Sequence, residues 1–277
     1  MNPPTVTAGL NYLQPSSLRP FSYIFPPPPG TPWESGSYEL RPMPIADARA
    51  TAAPPHIERE GFVLRDAPTA VSDFLDDAEV RAVYHREVAE LALAVTGGTR
   101  AFVFDHMVRQ READRTALSF GRRATHGKAA ANGRIHNDYT EDSGRRRLGM
   151  VLPDPGEAAA VRRYCIVNVW RSIRGPVLDT PLAVCDARTV ASRDLVTAEV
   201  RYPERTGEIY LATHSPAHRW SYFSAMDRHE ALIFKQYDSQ LGGVSRFTPH
   251  AAFDHPDAPA GAPPRQSIEA RCLVVFE

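Results

Sequence analysis

Arg134-Ile135-His136-Asn137-Asp138-Tyr139-Thr140 is the stretch on which the reading of this chain turns. Its pattern is that of a strand running into a turn. Residues i and i+2 of a strand point to the same face, so His136 and Asp138 can converge on one point. One imidazole and one carboxylate, with coordination positions left over, suit the two-His, one-carboxylate facial triad of non-haem Fe(II). The third ligand has to come from elsewhere. Thr248-Pro249-His250-Ala251-Ala252-Phe253 offers His250, which lies 112 positions beyond Asp138 (250 − 138). His214 and His218 are rivals, His214 at the shorter separation of 76 (214 − 138). It stands in a turn-like Thr213-His214-Ser215-Pro216, and no Arg-x-Ser follows it at a suitable distance, so His250 is preferred. His255, next to Pro256, reads as a surface turn. The long gap between Asp138 and His250 calls for an insertion between sheet strands.

Fifteen positions after His250 (265 − 250) comes Arg265-Gln266-Ser267. A metal that activates O2 needs electrons, and 2-oxoglutarate is a common source of two. It would chelate through its 1-carboxylate and 2-keto oxygen, leaving its far carboxylate in need of a fixed cation. Arginine provides a planar fork that matches a carboxylate, and the Ser267 hydroxyl can add a hydrogen bond. Arg271 has the same strand parity and is the alternative to Arg265.

Outward from these positions the chain is a series of short β-like runs, at 164–170, 182–185, 195–200, 208–211, 220–223, 231–234 and 268–276. Short strands at regular spacing indicate an all-β sandwich or barrel. With the His136 strand there are about eight, the number of a jelly roll. A further short strand is expected at 61–64 and another at 101–104. Between them a helix is expected over 76–95, where Val80, Val83, Tyr84, Val88, Leu91 and Leu93 recur near helical spacing. Asp76 and Asp77 suit its N-terminus, and Gly97-Gly98 ends it. The expected fold is therefore mostly β with flanking helices around a double-stranded β-helix (jelly-roll) core.

Residues 1–50 are expected to be a Pro-rich arm on a single domain over 51–277. Proline fixes φ and removes a donor, so no regular element is expected over about 1–35, where Pro26-Pro27-Pro28-Pro29 stands at the centre. The aromatic residues interleaved there, Tyr12, Phe21, Tyr23, Phe25 and Trp33, favour an extended arm lying on the domain over a disordered leader. Residues 111–133 are polar and turn-rich, and so close to the His136 strand they read as an active-site lid or a surface loop. Arg145-Arg146-Arg147 reads as a solvated loop face.

Taken in order, His136-x-Asp138, His250 and Arg265-x-Ser267 resemble the Fe(II)/2-oxoglutarate-dependent oxygenase superfamily. Within it the chain looks most like the CmcJ-like hydroxylase/desaturase group of bacterial and fungal secondary metabolism. That likeness is carried by His136–Thr140, Asn168-Val169-Trp170-Arg171-Ser172-Ile173, Cys185-Asp186-Ala187-Arg188, His218–Phe223, Phe234–Ser239 and Phe247–Phe253. The resemblance implies iron at His136, Asp138 and His250, with 2-oxoglutarate at Arg265 and Ser267. It also implies O2-dependent C–H oxidation (hydroxylation, desaturation or a related outcome) of a small natural product, as in antibiotic biosynthesis. With Asp138 retained there is no position for a halide, so halogenation is disfavoured. Alternation on a core strand puts Asn168 and Trp170 on one face and Arg171 on the other. These three, with Tyr139, are candidates for the substrate pocket.

Other classes are weighed against this. The 32 Lys+Arg are balanced by 33 Asp+Glu, which gives no basic footprint for nucleic acid. Cys165, Cys185 and Cys272 are too few and too scattered for a disulfide framework or a zinc finger. No run of 18 apolar residues suggests a membrane span, and no secretory signal is evident at the N-terminus. The expectation is a cytoplasmic monomer or homodimer acting on a small molecule. The alternatives are a cupin-like metalloenzyme that does without 2-oxoglutarate, leaving Arg265 no role, and a non-catalytic β-sandwich binding protein.

Overall fold

The structure is a computed structural model that describes residues 3–112, 114, 116–121 and 129–277. Two curled sheets face one another. The smaller has six strands, in the order Phe62–Asp66, Glu230–Asp238, Arg163–Ser172, Gln266–Phe276, Arg100–Gln110 and Ala129–Ala130. In the strand Arg163–Ser172, Cys165, Val167 and Val169 face a helical layer, whereas Trp170 faces the opposite sheet. The strand Gln266–Phe276 does the same. Its Ile268, Ala270, Cys272 and Val274 join the helix-side core, which leaves Ser267, Glu269 and Arg271 on the inner face.

The helical layer is the element expected over 76–95. It runs as Asp77–Glu79, a π-helical stretch Val80–Tyr84, and His85–Thr96. Asp76 caps it by accepting from the backbone N–H of Ala78 and Glu79. Gly97, at φ 73°, closes it in the left-handed conformation that glycine adopts without strain. Val80, Tyr84, Val88 and Ala92 form the stripe buried against the sheet.

The larger sheet has nine strands and holds the second half of the jelly roll. At its centre His250–Ala252 lies between Leu182–Cys185 and His136–Asn137. Thr206–Ala212, Leu195–Arg201 and Phe21–Tyr23 continue to one edge, and Trp220–Tyr222, Tyr38–Asp47 and Thr5–Leu13 to the other. Phe62, Trp170, Leu182, Val184, Leu232 and Phe234 fill part of the space between the sheets.

Three expectations are corrected here. The first 35 residues do contain regular structure, because Thr5–Leu13 pairs along its whole length with Tyr38–Asp47. The prolines of the arm do not interrupt this pair. Thr5–Leu13 has none, and Pro42 and Pro44 precede Ile45–Asp47, the only part of their strand that pairs with Trp220–Tyr222 on the other side. No separate insertion fills the gap between Asp138 and His250. Two α-helices and six strands of the two sheets lie there, from Glu141–Val151 to Glu230–Asp238. Arg145, Arg146 and Arg147 belong to the helix Glu141–Val151 rather than to a loop. Of the segment read as a lid, residues 113, 115 and 122–128 lie outside the described residues.

Candidate metal centre

His136 and His250 face each other directly as antiparallel partners of adjacent strands. Their ring centroids are 4.3 Å apart. Asp138 follows two residues after His136. One ligand atom from each of His136, Asp138 and His250 can be chosen so that all lie within 4.8 Å of one another, a spacing that a single metal ion can bridge. His136 Nδ1 lies 2.8 Å from the carbonyl of Arg134. A carbonyl only accepts, so Nδ1 carries the proton and Nε2 keeps a lone pair, as a metal ligand requires. His250 Nδ1 faces the Thr248 carbonyl in the same way at 3.4 Å. Burial pushes the His250 pKa well below its ordinary value, favouring the neutral imidazole that binds metal.

The carboxylate is oriented too. Oδ2 of Asp138 accepts from Arg271 Nε at 2.8 Å and from Asn168 Nδ2 at 2.9 Å. Oδ1 is left toward His136 Nε2, 3.4 Å away. Burial alone would raise the Asp138 pKa, but the Arg271 guanidinium outweighs it and holds the group well below the usual carboxylate range. Arg271 also donates to Glu269 at 3.0 Å and to Asp105 at 2.9 Å. Its guanidinium is thus committed to three carboxylates.

Asn137, between the two ligands, points away from them and braces the site. Its Nδ2 donates to the carbonyls of Tyr139 and Gln236, and its Oδ1 accepts from the backbone N–H of Thr248, two residues before His250. Gln236 Oε1 in turn accepts from the backbone N–H of Asp138. Phe234 packs against the His250 ring at 4.7 Å.

Arg265 is buried just ahead of the strand Gln266–Phe276. Its Nη1 donates to the Thr180 carbonyl at 2.9 Å, and its guanidinium stands 5.6 Å from the Trp170 ring. Its Nε and the Oγ of Ser267 are both buried without a hydrogen-bond partner. Buried polar groups of this kind are almost always paired, so each of the two atoms has an unmet hydrogen-bonding capacity. Burial, with the charge of Arg109 nearby, brings the Arg265 pKa down to about 10, which still leaves a cation at neutral pH.

A cavity of about 820 Å³ opens beside His136 and Asp138, with Tyr139, Arg109 and Arg271 also in its wall. From the segment 111–133, the described residues Phe120, Gly121, Ala129 and Asn132 line it. Of the four pocket candidates, Tyr139 lines this cavity and Asn168 touches Asp138. Trp170 lies beside Arg265. Arg171 is not brought to the site: it points into the helical layer, bonded to Tyr84 Oη and to the carbonyls of Ala67 and Arg228. His214 and His218 also lie elsewhere, both against Tyr12, His214 edge-on at 5.1 Å and His218 stacked at 5.7 Å. Sequence reasoning did not single out Asn137, Gln236 or Arg147. It took Arg271 only as a rival carboxylate anchor, although its parity with Ser267 already placed it on the inner face.

A family described as Oxidoreductase/YMDC permease-like domain matches residues 10–275. The hydroxylase/desaturase efuI of Hormonema carpetanum is 30% identical over 99% of this chain and 96% of its own length. The Fe(II)/2-oxoglutarate-dependent dioxygenase nvfI of Aspergillus novofumigatus is 33% identical over 72% of this chain and 68% of its own. A solved structure of an iron and alpha-ketoglutarate-dependent endoperoxidase, NvfI, superposes with a TM-score of 0.85 at 26% identity, covering 98% of both chains.

Proposed function

We propose, since this chain belongs to the oxidoreductase/YMDC permease-like family and to the Fe(II)/2-oxoglutarate-dependent oxygenases, that His136, Asp138 and His250 hold its iron and that Arg265 and Ser267 hold the far carboxylate of 2-oxoglutarate. The enzyme is an oxidoreductase that uses Fe(II), 2-oxoglutarate and O2 to oxidise a small natural-product substrate, as its relatives in fungal secondary metabolism do. That sets aside the cupin-like reading without 2-oxoglutarate and the non-catalytic β-sandwich. The observation that carries the residue assignment is the pairing of two features. Three ligand atoms converge within 4.8 Å, and two polar atoms, Arg265 Nε and Ser267 Oγ, are buried without partners on the facing sheet. The donor set of two imidazoles and one carboxylate, with positions left open, fits Fe(II).

Bound iron with 2-oxoglutarate supplies O2 activation coupled to oxidative decarboxylation of the co-substrate. The chain's own residues do the rest. Arg134 and Thr248 carbonyls fix the imidazole tautomers. Arg271 and Asn168 occupy one oxygen of Asp138 and leave the other for the metal. Arg265 and Ser267 give the co-substrate one orientation. Tyr139 borders the substrate's approach, Asn168 holds Asp138, and Trp170 supports Arg265.

The same reading treats residues 1–50 as an arm of one oxygenase domain over 51–277. It is supported by the pairing of Tyr38–Asp47 with Trp220–Tyr222 inside the domain's sheet. Among the described residues no helix is long and apolar enough to cross a membrane. We further read the protein as a cytoplasmic monomer or homodimer that does not bind nucleic acid, supported by its three free cysteines and its balanced charge. The deciding experiment is succinate release from 2-oxoglutarate with Fe(II) and O2 across a panel of candidate substrates. Substrate-stimulated succinate that disappears in His136→Ala supports the assignment. Unchanged release in that variant refutes it.

A further inference from the structure

The cavity beside the triad carries more cationic charge than its own carboxylates can match. Asp77, Asp105, Asp138 and Glu208 line it, and each is paired: Asp77 with Arg81, Asp105 and Asp138 with Arg271, and Glu208 with Arg146. Three further guanidinium groups in the wall, those of Arg109, Arg147 and Arg205, have no carboxylate within ion-pair distance among the described residues. None of the undescribed positions is an aspartate or a glutamate, and Arg109 feels nearby carboxylates, those of Glu269 and Asp138, without an ion pair. Arg109 gives its Nη1 to the carbonyls of Gly121 and Ala130. The guanidinium of Arg205 lies over Tyr202, 3.8 Å from the ring centre.

The guanidinium of Arg147 stands 4.7 Å from the centre of the Phe104 ring and 5.8 Å from that of Tyr139, the residue after Asp138. Its Nε is buried without a hydrogen-bond partner. Its neighbours in the helix Glu141–Val151 are satisfied, Arg145 by Glu141 and Arg146 by Glu208. A half-buried guanidinium with an unmatched donor is costly. The two rings support its guanidinium in the cavity wall, where its planar fork can meet an incoming acceptor.

We propose that this cavity takes an acidic substrate, whose carboxylate or comparably acidic oxygen docks on the guanidinium of Arg147. The anion would sit on the helix side of the cavity, on a different element from Arg265 and Ser267, so substrate and co-substrate are held by separate cations. Arg205 adds positive potential to the same wall, which favours the approach of an anion. The inference deepens the oxygenase reading by naming a substrate class and rests on it for the reaction. The charge preference itself can be measured without turnover.

The test compares 2-naphthoate with 2-naphthamide, nearly equal in shape and different in charge. Each is titrated calorimetrically into the protein loaded with Fe(II) and 2-oxoglutarate without O2, and into metal-free protein. The acid is expected to bind at least about tenfold tighter than the amide, the ordinary worth of a hydrogen-bonded charge pair. Arg147→Met should abolish that preference while amide binding and the melting temperature stay unchanged, and Arg147→Lys should keep part of it. Equal binding of acid and amide by the wild type, binding of neither, or a preference that survives Arg147→Met overturns the inference. Displacement of 2-oxoglutarate by the acid also overturns it, because the acid is then at the co-substrate's site. A wild-type protein that binds neither Fe(II) nor 2-oxoglutarate would instead refute the oxygenase-site assignment, and the acid/amide ratio in metal-free protein would still be read.

Discussion

Replacing Arg265 by alanine should damage the handling of 2-oxoglutarate and little else. The side chain is 3% exposed, with one guanidinium donor on the Thr180 carbonyl and its Nε unengaged. A carboxylate placed against that Nε and the Ser267 hydroxyl would be desolvated along with its partner. Breaking a buried ion pair by removing one member costs about 3–5 kcal/mol. At about 1.4 kcal/mol per factor of ten, that is roughly two to three and a half orders of magnitude in affinity. The lower end applies here, because Ser267 remains and Arg109 is near enough to raise the local potential. The assay is an anaerobic titration of 2-oxoglutarate into Fe(II)-loaded protein, with the apparent KM from succinate release as a second reading. Arg265→Ala should weaken binding at least about a hundredfold while Fe(II) affinity is unchanged. Arg265→Lys should recover only part, since an ammonium cannot reproduce the planar fork. A loss below about tenfold, or a parallel loss of iron, would refute the reasoning.

Four further outcomes are expected. His136→Ala and Asp138→Ala should each abolish stoichiometric Fe(II) binding with near-native circular dichroism, and retained iron in both would sink the triad. His250→Ala should lose iron and His214→Ala keep it, as metal analysis of the two purified variants will show; the reverse result would require the third ligand to be reassigned. Arg271→Ala should lower Fe(II) affinity roughly 10- to 100-fold, the usual effect of losing a group that orients a metal ligand, and should not reproduce the selective co-substrate defect of Arg265→Ala; a 2-oxoglutarate defect without an iron defect would reverse the roles given to the two arginines. Gly144→Ala should destabilise the fold by about 1–3 kcal/mol through overpacking, because an added Cβ would lie 2.5 Å from the Tyr237 ring; an unchanged melting temperature would show that the ring yields.

Much of this architecture was legible because strand alternation leaves a trace in the sequence. The runs at 182–185 and 195–200 became strands with nearly those limits, and parity correctly put Asn168 and Trp170 on the face opposite Arg171. The pairing of His250 with His136 was not readable from spacing, since two antiparallel strands can become neighbours at any separation. Six strands of the two sheets fill the interval. The arm was misread because proline was counted over the whole segment, whereas only its position relative to the pairing edge matters. The helix Glu141–Val151 left little signal. Two glycines and three consecutive arginines hide its buried face, and only Thr140, whose side chain caps it together with Ser143, marks its start. Arg147 was invisible for the same reason, its role depending on Phe104 and Tyr139 from other elements.

The position of the strand Gln266–Phe276 has a consequence for synthesis in the cell. It lies between Arg163–Ser172 and Arg100–Gln110, yet of all the strands described it is the last to leave the ribosome. Until it arrives, both neighbours present unpaired edges, which are templates for pairing with another chain. Arg271 also arrives only then, so Asp138 spends that interval without its main counter-charge. The nascent chain is therefore prone to aggregate until Gln266–Phe276 has emerged, as expected of sheets closed by long-range contacts. A ribosome stalled within Gln266–Phe276 would release a chain with two open sheet edges, prone to aggregate rather than to fold.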